Sequence, residues 1–121
     1  MKIPTIALIA LSLFSPLAAH SQSDQPHTVV HVVTVKWKAG TTPAQIEAAL
    51  SGVKGLPSKY PGILRVWTKS VKVQGGKANA FVMEFADAAA LKAYTDSPAQ
   101  KDWYKTYLPI RDESSTFDIT N

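Results

Sequence analysis

The sequence predicts an α+β domain of order β-α-β-β-α-β, a four-stranded antiparallel sheet with its helices on one face. Three observations carry this reading. Val29 to Trp37 is a nearly unbroken run of β-branched and aromatic residues. Thr42-Pro43-Ala44-Gln45 and Ser97-Pro98-Ala99-Gln100 are two helix starts of the same type. Gln74-Gly75-Gly76 supplies a tight reversal between two alternating apolar segments.

The elements follow in chain order. Residues 1–21 divide into a short start with Lys2, an apolar stretch from Ile6 to Leu17, and a small-residue end at Ala19-His20-Ser21, the layout of a cleavable signal peptide. A membrane span needs roughly 20 apolar residues in a row. This run is shorter, is preceded by Pro4 and interrupted by Pro16, and is followed by polar Ser21 to Asp24, which favours cleavage over an uncleaved anchor. The expectation is an exported protein, periplasmic or secreted, with no membrane attachment after cleavage. Removing 21 of 121 residues leaves 100, enough for one domain with one modest core. Residues 22–27 are polar and read as a flexible leader, so the domain is expected over 28–121.

In the first strand His31, Val33, Val35 and Trp37 share one face, while Val30, Val32 and Thr34 share the other. Both faces are apolar, so both need a cover. Thr42 caps the first helix, whose buried stripe is Ile46, Ala49, Leu50 and Val53. Gly55 and Pro57 weaken its last turn, and it ends before Pro61-Gly62. Ile63 to Val73 reads as the second strand, with Ile63, Trp67 and Val71 opposite Thr68, Ser70 and Lys72. Ala78 to Phe85 is the third, with Asn79, Phe81, Met83 and Phe85 on one face, and its pairing with the second is expected. Asp87 caps a short helix through Tyr94. Ser97 opens another with Trp103, Tyr104, Tyr107 and Leu108 on its apolar side, and Pro109 stops it. Ser115 to Ile119 makes a short last strand in which Phe117 and Ile119 alternate. A sheet with helices on one side leaves the other bare, and dimerisation through that face is the simplest cover.

Composition excludes several functions. Lys2 is the only charged residue in the signal peptide, so 12 of the 13 basic residues remain against 9 acidic ones. The lysines are scattered among apolar positions, the pattern of a solvated surface and not of a nucleic-acid-binding stripe. With no cysteine there is no disulfide, thiol catalysis or iron–sulfur cluster, and stability must come from burial. His20 leaves with the signal peptide and His27 lies in the leader, so His31 is the histidine in patterned sequence. One histidine without a carboxylate cluster does not make a metal site, since catalytic zinc needs three protein ligands. No cofactor is expected, for there is no Gly-rich phosphate loop, and no recognisable nucleophile motif occurs.

The segments His31-Val-Val-Thr-Val-Lys-Trp-Lys38, Pro61-Gly62-Ile63, Ala80-Phe-Val-Met-Glu-Phe85, and Leu91-Lys-Ala-Tyr94 followed by Ser97-Pro98-Ala99 resemble the stress-responsive A/B barrel domain, in its order and spacing. The resemblance covers Thr28 to Asn121. It implies a ferredoxin-like domain that dimerises sheet to sheet into a barrel, with a cavity between sheet and helices. It also implies a comparison with plant polyketide cyclases, whose cavity histidines and tyrosine act on an enolisable substrate. By position His31 and Tyr94 match polar members of that cavity. Asn79 stands where the family often has a histidine, and Ser97-Pro98-Ala99-Gln100 replaces a frequent His-Pro-Ala-His, which puts Gln100 in the general-base position.

An amide takes up no proton near neutral pH, so the aldol mechanism does not carry over as it stands. Gln100 also has a structural role open to it as the third residue of a capping box. His31 is either a cavity base or donor held by Tyr94 or Asn79, or a strand histidine satisfied by backbone or water. Tyr94 reads as a packing residue with its hydroxyl at the rim, and Trp67 and Trp103 as core or interface. The expected ligand-binding set is His31, Trp67, Asn79, Tyr94 and Gln100. Three functions compete: binding of a small hydrophobic or aromatic ligand without turnover, a cofactor-independent cyclase-like or monooxygenase-like enzyme using His31, and an interaction role carried by the surface.

Overall fold

A computed structural model describes residues 27–121, and the expected signal peptide and residues 22–26 of the leader lie outside the described residues. The chain forms β1 (Val29–Trp37), α1 (Pro43–Lys59), β2 (Ile63–Trp67), β3 (Asn79–Phe85), α2 (Ala88–Tyr94), α3 (Pro98–Tyr107) and β4 (Arg111–Ile119). The sheet runs β2-β3-β1-β4 with antiparallel neighbours throughout.

The helix starts form as their residue types require. At α1 the Thr42 hydroxyl accepts from the Gln45 N–H at 3.2 Å, and the Gln45 side chain accepts from the Thr42 N–H at 2.9 Å, a complete capping box. Asp87 accepts from the Ala90 N–H at 2.7 Å to start α2. At α3 only half of the expected box forms. Ser97 accepts from the Gln100 N–H at 3.2 Å, but the Gln100 side chain accepts from the Asp96 N–H at 2.8 Å, one residue before the cap. Asp96 has φ 63°, and this left-handed turn aims its N–H back at the helix.

Two strands depart from expectation. β2 ends at Trp67, well short of Val73, because its pairing with β3 stops at Trp67↔Val82; Val71 beyond it is fully exposed. The reversal at Gly75 and Gly76 is present, both with φ near +70°, but it closes a loop and not a tight hairpin. β4 begins at Arg111, earlier than Ser115, since Arg111 pairs with Trp37 and the Lys38 N–H donates to the Ile110 carbonyl at 2.8 Å.

Two bulges set which side chains face where. In β2, Ile63 pairs with Phe85 and Arg65 with Glu84, leaving Leu64 as an extra residue. Ile63 and Val66 therefore share the helix side, while Arg65 and Trp67 turn outward, so Trp67 does not share the face of Ile63. In β4 the shift falls opposite Lys36 and Trp37 and makes Asp112 the extra residue.

The core lies between the helices and the inner sheet face. Val33, Val35, Phe81, Met83 and Phe85 meet Leu50, Val53 and Leu56 of α1 and Trp103 and Tyr107 of α3. Ile46 is only partly buried, and Leu56 completes the stripe in its place. The α1–α3 contact depends on Gly52, where an added Cβ would meet the Trp103 ring at 2.5 Å. That ring is fixed by its Nε1–H, which donates to the Ala49 carbonyl at 2.9 Å.

The outer face has no helix. Phe117 and Ile119 of β4 are 56% and 58% exposed and flank half-buried Val30 and Val32 of β1, with Trp67 at 49% across the sheet. Arg65 bonds Glu84 on this face, and that hydrogen bond holds the Glu84 carboxyl below its ordinary pKa against the opposing effect of burial. Among the described residues no helix is long and apolar enough to cross a membrane.

Candidate functional site

A cavity of about 240 Å³ lies between the inner face of β1 and β4 and the helices α2 and α3. His31, Tyr94 and Gln100 line it, as does the aromatic wall of Trp103, Tyr104 and Tyr107. Trp67 and Asn79 do not. The β2 bulge turns Trp67 to the outer face. Asn79 pairs with Val35, far along the sheet from the His31↔Met83 pair, and its side chain accepts from Trp37 Nε1 at 2.7 Å.

His31 is held neither by Tyr94 nor by Asn79, but by a side chain of the last strand. Its Nδ1 meets Asp118 Oδ1 at 2.5 Å. The two residues are register partners across β1 and β4, so their side chains leave the sheet on the same face. A carboxylate at Nδ1 orients the ring, and in the neutral imidazole tautomer that this contact favours Nδ1–H donates to Asp118 while Nε2 is the acceptor. The Phe85 ring packs edge-on to the imidazole at 5.9 Å between centroids.

Tyr94 is 2% exposed, so it is buried among Tyr60 and Phe85 and not set at a rim. Its hydroxyl has no hydrogen-bond partner, and the same holds for the Tyr107 hydroxyl. Burial pushes the Tyr94 phenol far above its ordinary range. Burial raises Tyr107 as well, against the opposing pull of Ser114 and Arg111, which lie near its hydroxyl without bonding it in normal geometry. Both groups are therefore neutral donors in search of an acceptor.

Gln100 is buried, and its carbonyl oxygen is committed to the Asp96 N–H. It holds the α2–α3 turn and supplies no base. Tyr107 stacks on Trp103 at 4.4 Å and 11° between planes, and the Arg111 guanidinium carbon sits 5.6 Å from the Tyr107 ring centroid. Ser114 and Thr116 complete the wall on β4. No group of three His, Cys, Asp or Glu side chains able to hold a metal occurs among the described residues.

The sequence reading missed Asp118, Arg111, Ser114 and Thr116. The signal was the alternation it had used for Phe117 and Ile119: residues at the intervening positions of a last strand paired with β1 must face the helices. That alternation reaches Asp118 and Thr116 within the expected strand and Ser114 one step before it; Arg111 lies outside the two-residue period and reaches the inner face only through the bulge at Asp112.

The arrangement joins an imidazole–carboxylate dyad, two unpaired phenols, a guanidinium and an aromatic wall around a space of small-molecule size. Among solved structures, this fold resembles a hydroxynitrile lyase from Passiflora edulis, at 16% identity over 80% of this chain and 95% of the other, with a TM-score of 0.70. A dimeric ferredoxin-like protein of unknown function from Thermobifida fusca aligns at 18% identity over 80% and 93%, TM-score 0.67. A Dabb family protein with a ferredoxin-like fold from Mesorhizobium loti aligns at 21% over 78% and 96%, TM-score 0.65. Among curated proteins nothing matches. The model of the stress-responsive A/B barrel domain matches residues 29–121, the whole of the folded region, and the chain belongs to that family.

Proposed function

We propose that this protein is an exported homodimer that binds a small hydrophobic or aromatic molecule in the cavity of each protomer without turning it over. The observation that carries the reading is the pair of buried, unpartnered phenols on an aromatic-walled cavity. A buried donor without an acceptor costs about 1–3 kcal/mol, and a ligand carrying oxygen acceptors would recover it. Gln100, an amide bonded to the Asp96 N–H, offers no base at the position that the resemblance aligns with the cyclases' general base.

A thermal-shift screen of aromatic and polyketide-like compounds tests this. A ligand present at a hundred times its Kd should stabilise the native state by about 2.7 kcal/mol. If no compound of these classes raises the Tm, the binding reading fails. Dimerisation rests on the apolar outer face and on the dimeric description of related folds. Light scattering at micromolar concentration should give the mass of two chains; a stable monomer would count against it. Export rests on the layout of residues 1–21, and the intact mass of protein recovered outside the cytosol should correspond to a chain starting at Gln22.

A second reading, a cofactor-independent enzyme, is favoured by one observation, the His31–Asp118 dyad. With Asp118 on Nδ1–H, Nε2 could accept a proton from an acidic C–H or O–H and return it later in the cycle. His31→Ala separates the two: it should abolish any turnover while ligand-induced stabilisation persists. Full activity in that variant would remove the enzyme reading.

A further inference from the structure

We infer that the ligand of this cavity carries an anionic oxygen group, a carboxylate or an equally acidic enol, and binds with that group at Arg111 and the Tyr107 hydroxyl. The inference rests on the ligand-binding reading above and says which chemical class the cavity selects. Arg111 lines the cavity, and among the described residues no carboxylate pairs with it. Its acidic neighbours are occupied elsewhere: Asp112 with Lys36 at 3.3 Å and Glu113 with Lys77 at 2.8 Å. The bulge at Asp112 is what separates them, since it returns Arg111 to the inner face beside Trp37 while Glu113 faces outward with Lys36.

The guanidinium is packed over the Tyr107 ring and so held in place before any ligand arrives. Beside it stand the Tyr107 hydroxyl, 3% exposed as a residue and without a partner, and the Ser114 hydroxyl on the same strand face. A cation and two hydroxyl donors lining one end of a cavity form a receptor for an acceptor-only group, since a carboxylate accepts but does not donate. The other end has the opposite sign. Asp118 stands behind His31, and the two ends are spaced along β4 by roughly 20 Å of strand at about 3.3 Å per residue. This polarity orients a ligand: its acidic end goes to Arg111, and its neutral end toward Tyr94 and His31.

The test compares hydrocinnamate with hydrocinnamamide, which differ in charge and little in shape, by calorimetric titration of the unmodified dimer. The carboxylate should bind about tenfold or more tightly than the amide, the scale of a charge-assisted hydrogen bond. Arg111→Gln, checked for native folding by circular dichroism, should bring the carboxylate down to the affinity of the amide and leave the amide unchanged. Arg111→Lys should keep part of the preference. Equal binding of both probes to the unmodified protein overturns the inference but leaves a cavity that binds small molecules. A preference that survives Arg111→Gln overturns it too, by placing the anion elsewhere. If neither probe binds, the inference falls, while the binding reading stands or falls on the thermal-shift screen.

Discussion

The two faces of this sheet are made of similar residues and meet different fates. On the inner face Val33, Val35, Phe81 and Phe85 are sealed by α1 and α3, each 5% exposed or less. On the outer face Val30, Val32, Phe117 and Ile119 belong to the same two-residue alternation yet remain accessible, the last two more than half so. The inner face derives its stability within one chain, at any concentration. The outer face can gain an equivalent burial only from a second body, so its contribution depends on concentration. In a chain without disulfides, that second contribution is the one that distinguishes a marginal domain from a durable one.

The largest way to break the contrast is inside. Phe81→Ala empties a position 1% exposed beneath Trp103 and Tyr107, and should cost about 3–5 kcal/mol in urea unfolding, with the same loss at every protein concentration. Phe117→Asp attacks the other face. It should convert the proposed dimer to a monomer in sedimentation experiments and lower Tm by an amount that shrinks as the unmodified protein is diluted, worth about 2–3 kcal/mol from lost burial. If Phe117→Asp leaves the mass unchanged, the two faces do not differ in the way described.

A smaller effect comes from acid. Because Arg65 lowers the Glu84 pKa in the folded state, the stability from this pair is fully present above the ordinary carboxylate value and is lost as pH falls through the lowered one. Glu84→Gln should flatten that part of the stability–pH curve, measured by denaturant midpoints between about pH 5 and pH 2. The smallest effect has the opposite sign. Tyr94→Phe deletes an unpartnered buried hydroxyl and should stabilise the empty protein by up to about 1 kcal/mol while weakening ligand binding. A destabilised Tyr94→Phe would mean that the hydroxyl has a partner in solution.

Much of the fold was legible because local chemistry decided it. Thr42, Asp87 and Ser97 each cap the helix they announce, and Gly75 and Gly76 adopt the positive φ that only a reversal requires. The first strand and the shared face of Phe81, Met83 and Phe85 follow directly from alternation. What was not legible depended on register. The extra residue at Leu64 inverts the alternation of β2, so Trp67, which a strict two-residue period places with Ile63, faces the other way. The first half of β4 is Arg-Asp-Glu-Ser, a run with no apolar signal, because its inner face lines a polar cavity wall and its edge faces solvent. The His31–Asp118 pair spans 87 positions and exists only once β4 is laid against β1 in the observed register. His31, Tyr94 and Gln100 line the cavity; their partners were not readable without that register.

The bond from Gln100 to Asp96 has a consequence for anyone who would redesign this cavity. A histidine installed at position 100 to supply a proton acceptor would have to abandon the Asp96 N–H that Gln100 now satisfies, leaving the left-handed turn to the Ser97 N–H bond to the Tyr94 carbonyl. The position that the resemblance aligns with a general base is, in this chain, the one that holds the turn. Editing it means rebuilding that turn, so a gain of chemistry at this site should be sought in paired substitutions at 96 and 100 and not in either alone.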